Sequence, residues 1–197
     1  GLIDVGKVKE GETVVVSGAA GGVGIIVCQL AKALGAKVIA IAGGPKKCSY
    51  LLNDLGMDYV IDYKNSDVGK ELENIAKDKI DVFFDNVGGD ILDAVLGNLN
   101  TGARVAICGA ISQYSDMKNV TGPKMYLKLA ENYARMEGFT VIHFSEKFEE
   151  ATKNLLDLYK KGKITVPTHY ENGIESFPRA LKMLFTGGHT GKLMVKI

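Results

Sequence analysis

A doubly wound, parallel α/β sheet is the fold this 197-residue sequence predicts, and three observations predict it. A short run of strand-forming residues, Thr13 to Val16, passes into the small-residue cluster Ser17-Gly18-Ala19-Ala20-Gly21-Gly22-Val23-Gly24, and a helical pattern opens at once. Apolar runs of strand length then alternate with helical segments, the order of a parallel sheet buried on both faces. Each of the first five runs also stops on a polar or glycine-rich segment. In such a sheet, right-handed crossovers bring those strand ends to one edge, where ligands bind.

The elements follow in order. The helix after the glycine cluster carries Ile25, Ile26, Cys28, Leu30, Ala31 and Leu34 and stops at Gly35, a plausible C-cap. Lys37 to Ala42 is the second strand, Lys46 to Leu55 a helix ending at Gly56, and Asp58 to Tyr63 the third strand. Asp67 to Lys77 is a charged amphipathic helix, Asp81 to Asp85 a fourth strand, Asp90 to Leu99 a helix and Ala103 to Cys108 a fifth strand. Gly109 to Lys124 is longer than an ordinary connection, which marks it as functional or mobile. Beyond it, Pro123 to Arg135 reads as a helix and Glu137 to Phe144 as a sixth strand. Ser145 caps a helix reaching Lys161, and Ile164 to His169 reads as a strand. Glu175 to Phe185 is a helix with Pro178 in its first turn, and Gly191 to Ile197 a strand with one buried face.

Composition excludes several functions. Apolar residues make up 46% and charged residues 24%, as in an ordinary globular domain, and the length suits one well-buried core. A net charge of +1 offers no electrostatic case for nucleic acid or an acidic membrane surface. No apolar run approaches the roughly 20 residues of a membrane span, and no signal peptide opens the chain. Cys28, Cys48 and Cys108 are far apart and read as reduced core thiols of a cytoplasmic protein. His143, His169 and His189 lack the close spacing of a metal site, so no metal is expected. The opening Gly1, in place of a start methionine, reads as a piece of a longer chain.

The chemistry lies at the strand ends. A strand, a tight turn and a helix N-terminus within about a dozen residues can hold a pyrophosphate. The unpaired N–H groups of the first helical turn and the helix dipole both favour an anion there. Gly21 lets the backbone approach the phosphates, and Gly24 lets the helix pack closely on the strand. Ala19 stands where the fingerprint's first glycine would be, with Gly18 one residue earlier. An NAD site normally has an acidic residue at the end of the second strand, bonding the ribose 2′-hydroxyl. Here that place reads Gly43-Gly44-Pro45-Lys46-Lys47, with no acid between Val38 and Ser49. Small residues leave room for a 2′-phosphate and the lysines supply countercharge, so NADP is expected over NAD.

The glycine cluster, Asp62-Tyr63-Lys64, Phe84-Asp85-Asn86-Val87-Gly88-Gly89, Cys108-Gly109-Ala110-Ile111-Ser112-Gln113-Tyr114, Arg135-Met136-Glu137-Gly138-Phe139 and the closing Gly191-Lys192 occur in this order. Through them the chain resembles the medium-chain dehydrogenase/reductase superfamily, in its zinc-free branch of prostaglandin reductases and alkenal double-bond reductases. The resemblance covers nearly the whole chain. It implies a Rossmann-type cofactor domain over residues 1–172. Residues 173–197 would be a helix–strand tail that rejoins a GroES-like lobe not contained in this sequence. It implies further that Gly21, Gly22, Val23 and Gly24 hold the pyrophosphate, that Lys47 meets the 2′-phosphate beside Gly43, and that Tyr63 and Asn86 contact the cofactor. Cys108, Gly109, Ala110, Ile111, Ser112 and Tyr114 would line the nicotinamide side, with Phe139, Thr140 and Val141 beside it. The family commonly has asparagine two residues before the final Gly-Lys, where this chain has His189.

The expected activity is NADPH-dependent reduction of the carbon–carbon double bond of α,β-unsaturated aldehydes or ketones, with Tyr114 polarising the carbonyl, in a homodimer. A phenol of pKa about 10 stays protonated and can donate at neutral pH. A quinone reductase of the same superfamily and a non-catalytic NADP-binding module are the alternatives. A methyltransferase is disfavoured, because S-adenosylmethionine has no phosphate for the Lys47 region to meet. Without the other lobe the domain is expected to bind cofactor but not turn over an enal. The apolar face of Leu193, Val195 and Ile197 is expected to lie unpaired unless another chain or the domain itself covers it.

Overall fold

The first crossover sets the pattern of the computed structural model, which describes residues 1–77 and 79–197. Thr13–Val16 forms β1, Gly24–Ala33 forms α1, and the chain returns as β2, Lys37–Ala42. Successive side chains of a strand point to opposite faces. Val14 and Val16 therefore join Ile25, Cys28 and Ala31 under α1, while Val15 joins Phe83, Leu72 and Leu96 on the other side. This double burial is why the strands read as unbroken apolar runs. Each fully buried Leu, Ile or Phe among them contributes roughly 1.5–3 kcal/mol.

Pro45–Ser49 forms α2 and continues through one π-helical turn, Tyr50–Asp54, into β3, Tyr59–Asp62. Val68–Ala76 is α3, and the Asp67 side chain caps it by accepting a hydrogen bond from the Lys70 N–H at 3.1 Å. Ile80–Asp85 is β4, Gly89–Leu96 α4, Leu99–Ile107 β5, Leu127–Glu131 α5 and Arg135–Gly138 β6. The six strands are all parallel, in the order β3-β2-β1-β4-β5-β6. After β3 the chain crosses back to the other side of β1. The order thus reverses between β1 and β4, which is where such a sheet opens a crevice.

A second, two-stranded parallel sheet pairs β7, Thr168–Asn172, with β8, Lys192–Lys196. Between them lie a 3₁₀ turn, Ile174–Ser176, and α7 over Phe177–Thr186, with Pro178 in its first turn. The boundary expected at Gly173 falls between two strands that pair with each other. This small sheet is tied to the first crossover: Gly191 N–H donates to Ala20 O at 2.8 Å, and Gly21 and Gly191 form a parallel bridge. On the face expected to lie unpaired, Leu193 and Val195 are partly covered and Ile197 is 97% exposed.

The structure corrects four element boundaries. The helix expected over Pro123–Arg135 shrinks to α5, because Tyr133 adopts φ +50° and the Asn132 carbonyl turns to accept from Gly102 N–H at 2.7 Å. The sixth strand lies at Arg135–Gly138 and not Glu137–Phe144. The apolar residues beyond it pack as aromatics, with Phe139 edge-on to Phe84 at 5.9 Å and to Phe144 at 6.2 Å. Ser145 sits inside a 3₁₀ segment, Val141–Lys147, and α6 begins only at Phe148, ending at Lys160. The strand expected at Ile164–His169 starts later, as β7. Ile164 is buried as a plug and the Gln29 side chain holds Thr165, accepting from its N–H at 2.8 Å and donating to its carbonyl at 3.0 Å.

Among the described residues no helix is long and apolar enough to cross a membrane.

Candidate functional site

The carboxyl ends of β1, β2, β4 and β5 open on one cleft of about 790 Å³, lined chiefly by the glycine turn, Gly43, Lys47, Tyr63, Asn86 and the Gly109–Tyr114 loop. Its back wall is the β1–α1 turn. The N–H groups of Val23 and Gly24 have no acceptor among the described residues, and both line the cleft together with Gly22. Free donors at a helix N-terminus make an anion cradle. The cradle depends on Gly24, since a Cβ there would lie 2.3 Å from the Gly18 carbonyl oxygen. Helix and strand could not approach this closely with any larger residue.

The tips of β1 and β4 are stitched by a buried network. Asp85 accepts hydrogen bonds from Ser17 Oγ at 2.7 Å, Val87 N–H at 2.9 Å and Gly88 N–H at 3.1 Å. Ser17 Oγ in turn accepts from Asn86 N–H at 2.8 Å, and the Asn86 side chain donates to the Ser17 carbonyl at 2.7 Å. Burial pushes the Asp85 carboxyl up, against the lowering effect of its hydrogen bonds from Ser17, Val87 and Gly88. The result is a fixed turn that presents Asn86 to the cleft.

At the other end, Gly43 faces the Tyr63 ring, whose atoms would lie 2.8 Å from a Cβ at that position. The Asp62 carboxylate folds back to accept from Gly44 N–H at 2.8 Å, Asn65 Nδ2 at 2.7 Å and Lys64 N–H at 3.1 Å. Burial acts to raise its pKa, but these bonds outweigh it and hold the carboxyl below the usual range. Lys47 reaches the cleft from α2. Among the described residues no carboxylate lies within ion-pair distance of it. Burial first, and then the charge of Lys64, lower its pKa. An unpaired cation beside a second cation is a site for an anion.

The Gly109–Tyr114 loop folds onto itself. Tyr114 Oη accepts a hydrogen bond from Ala110 N–H at 3.0 Å and would lie 3.0 Å from a Cβ on Gly109. That leaves its own proton free to donate. The ring is 48% exposed and lines the cleft. Ser112 Oγ donates to the Val87 carbonyl at 2.6 Å and fastens the loop to β4's turn.

The sequence-predicted residues therefore divide. Gly21, Gly22, Val23, Gly24, Gly43, Lys47, Tyr63, Asn86, Gly109, Ile111, Ser112, Tyr114 and His189 line one cleft. Cys108 and Ala110 stand behind the lining. Phe139 packs into the core with Phe84, and Thr140 and Val141 are off the cleft wall, Val141 well exposed. Sequence reasoning passed over Ser17, the anchoring role of Asp85, and Leu184 and Phe185 at the end of α7, which close the far wall. A strand-end serine and a strand-end aspartate, each directly before a turn, were the available signal for the first two.

Residues 22–160 match the zinc-binding dehydrogenase family. The chain belongs to this family. Within the medium-chain dehydrogenase/reductase superfamily it stands with prostaglandin and alkenal reductases. It is 40% identical over 202 residues to prostaglandin reductase 1 of Mus musculus, covering 100% of this chain and 60% of that protein. It is 38% identical over 198 residues to the NADP(+)-dependent 2-alkenal reductase of Nicotiana tabacum, covering 100% of this chain and 57% of that protein. Among solved structures, CurA from Vibrio vulnificus in complex with NADPH superposes with a TM-score of 0.92 at 38% identity, over 99% of this chain and 59% of that one. The chain thus spans somewhat more than half the length of the relatives it matches. Among its described residues, no three His, Cys, Asp or Glu side chains come together to hold a metal ion.

Proposed function

We propose that the cleft binds NADP(H), and that the chain is the cofactor-binding part of a cytoplasmic, zinc-independent reductase of carbon–carbon double bonds conjugated to an aldehyde or ketone. One observation carries the reading: the unbonded N–H groups of Val23 and Gly24 at the start of α1 and an unpaired Lys47 on α2 face the same cleft. They suit two separate phosphates, the pyrophosphate and a 2′-phosphate. The glycine cradle fits the first, since at Gly24 a Cβ has no room. The NADP(+)-dependent 2-alkenal reductase and the NADPH complex of CurA support the same assignment.

When bound, the nicotinamide would supply a hydride; the protein's share is orientation and electrostatics. Asn86, fixed by Ser17 and Asp85, positions the cofactor at the switch point. Tyr114, with Ala110 N–H already bonded to its oxygen, keeps its proton for the substrate carbonyl. The relatives' additional length would supply the second wall that excludes water and places the substrate carbon. β6 is an edge strand with all four residues exposed, and it offers a second copy a row of unpaired backbone groups for a homodimer.

Cofactor-fluorescence titration tests the site: NADPH is expected to bind more tightly than NADH, and equal affinities would overturn the reading. The reaction is tested with a chain of the relatives' full length containing these 197 residues, assayed with NADPH on enals, enones and quinones. Reduction of enals supports the proposal. Turnover of quinones alone replaces it with a quinone reductase, and binding without turnover replaces it with a non-catalytic module.

A further inference from the structure

His189 stands in the loop between α7 and β8 and lines the same cleft as Lys47 and Tyr63. Its Nδ1 lies 3.3 Å from the Met183 carbonyl oxygen. A carbonyl only accepts, so Nδ1 carries the proton and donates it. In the neutral ring, Nε2 is then a bare acceptor.

The groups around it are mostly cationic. Lys47 arrives from α2, its Nζ 3.4 Å from where a Cβ would stand on Gly187, two residues before His189. Lys64 stands beside Lys47. From β7 comes His169, whose Nε2 is 3.2 Å from Glu171 Oε1. Burial is the largest influence on His189 and lowers its pKa; Lys47 and His169 lower it further, against the bond to Met183. These influences favour the neutral imidazole.

A phosphate monoester reverses that balance. It brings a charge of about −1.5 to −2 and several acceptor oxygens at neutral pH. We propose that His189 is a specificity-determining residue for the 2′-phosphate of NADP(H), taking up a proton on Nε2 as the cofactor binds. The proposal rests on the reading of this cleft as an NADP(H) site. One proton passes from solvent to Nε2. Nδ1–H keeps its bond to Met183, and the new Nε2–H donates to a phosphate oxygen. Lys47 supplies a charge that is always present, whereas His189 supplies one only when the phosphate is there. NADH has no phosphate at this position, so it meets a neutral ring and recruits no proton. An asparagine at this position could donate a hydrogen bond but could not titrate.

The sign follows from linkage. The pKa of His189 is low in the free protein and raised in the complex, so between the two values binding consumes a proton and weakens as pH rises. The phosphate's own titration, near pH 6, acts at the lower edge of this window. Because it is common to every variant, it cancels in a comparison.

Calorimetric titration of the chain with NADPH and NADH, in buffers of different ionisation enthalpy, tests the proposal. At about pH 7.5 the wild-type chain is expected to take up a substantial fraction of one proton with NADPH and almost none with NADH. NADPH affinity should fall roughly ten-fold between about pH 6.5 and pH 8.5, the scale of one charge-assisted hydrogen bond. His189→Asn should still bind NADPH, with neither the uptake nor the pH slope. His169→Asn should keep both. NADPH binding without proton uptake, unchanged uptake in His189→Asn, or loss of uptake in His169→Asn alone would each overturn the role of His189 while leaving the cofactor site standing. Failure of the wild-type chain to bind NADPH at all would instead overturn the site itself.

Discussion

Ser17 Oγ donates a 2.7 Å hydrogen bond to Asp85 Oδ1, joining the tips of β1 and β4 where the strand order reverses. The same oxygen accepts from Asn86 N–H, so a single hydroxyl satisfies two groups. Ser17→Ala leaves the Asn86 N–H without an acceptor and takes one donor from a buried carboxylate. The expected cost is about 1–3 kcal/mol in urea unfolding. NADPH affinity should fall as well, because the turn carrying Asn86 keeps only its bond to the Ser17 carbonyl. Unchanged stability would show that the network is ornamental.

Lys47→Ala removes the one unpaired cation contributed by α2 to the cleft. A charge-assisted hydrogen bond contributes roughly 1.5–3 kcal/mol, so NADPH should bind about 10–150-fold more weakly. NADH affinity should hold. Parallel losses for both cofactors would place the lysine on the pyrophosphate or in the fold.

Tyr114→Phe distinguishes chemistry from packing. In a chain of the relatives' full length, kcat should fall by about 10²-fold or more, the scale of a general acid, with NADPH affinity nearly unchanged. The alternative outcome, weaker cofactor binding with kcat preserved, would make the tyrosine a brace for the Gly109–Tyr114 loop.

Glu12 and Arg104 form a mostly buried ion pair, with Arg104 Nη1 at 2.9 Å and Nη2 at 2.6 Å from the two carboxylate oxygens. Burial is the largest influence on Glu12 and acts to raise its pKa, but the bonds from Arg104 and Lys9 N–H hold it below the ordinary 4.5. A carboxyl whose folded pKa is lowered stabilises the protein above its unfolded pKa. That stability is lost as pH falls through the folded value. Glu12→Gln should therefore cost about 1.5–3 kcal/mol at neutral pH, with the gap to wild type closing as pH falls below the ordinary 4.5 and through the lowered folded value. Urea unfolding along a pH series measures it; a gap that stays constant would show that the pair's charge contributes nothing.

What was legible in the sequence was whatever depends on local pattern. β1, β2 and β4 are buried on both faces, so their apolar runs were unambiguous, and the glycine turn was readable because Gly24 has a steric reason to be glycine. Lys47 and Tyr63 could be read from their places after β2 and β3. The misread segments are those whose shape is set by distant partners. Phe139 to Phe144 carry a strand's composition, yet Phe84 draws Phe139 into an aromatic cluster. Thr165 is held out of a strand by Gln29, from a helix far earlier in the chain. The position of Asp85 before a turn was a local signal, but its bond to Ser17 was not, because that partner lies on another strand.

The bond from Gly191 N–H to Ala20 O has a consequence for biosynthesis. The glycine turn is made early, but the loop that brings His189 and Gly191 against it leaves the ribosome only after every strand of the main sheet. At about 5–20 residues per second the interval is many seconds, long compared with helix formation and hairpin closure. During that interval the nascent chain can hold a folded sheet whose cleft lacks a wall. A ligand gripped there could be released again, so full retention of the nucleotide begins only when the last strand docks.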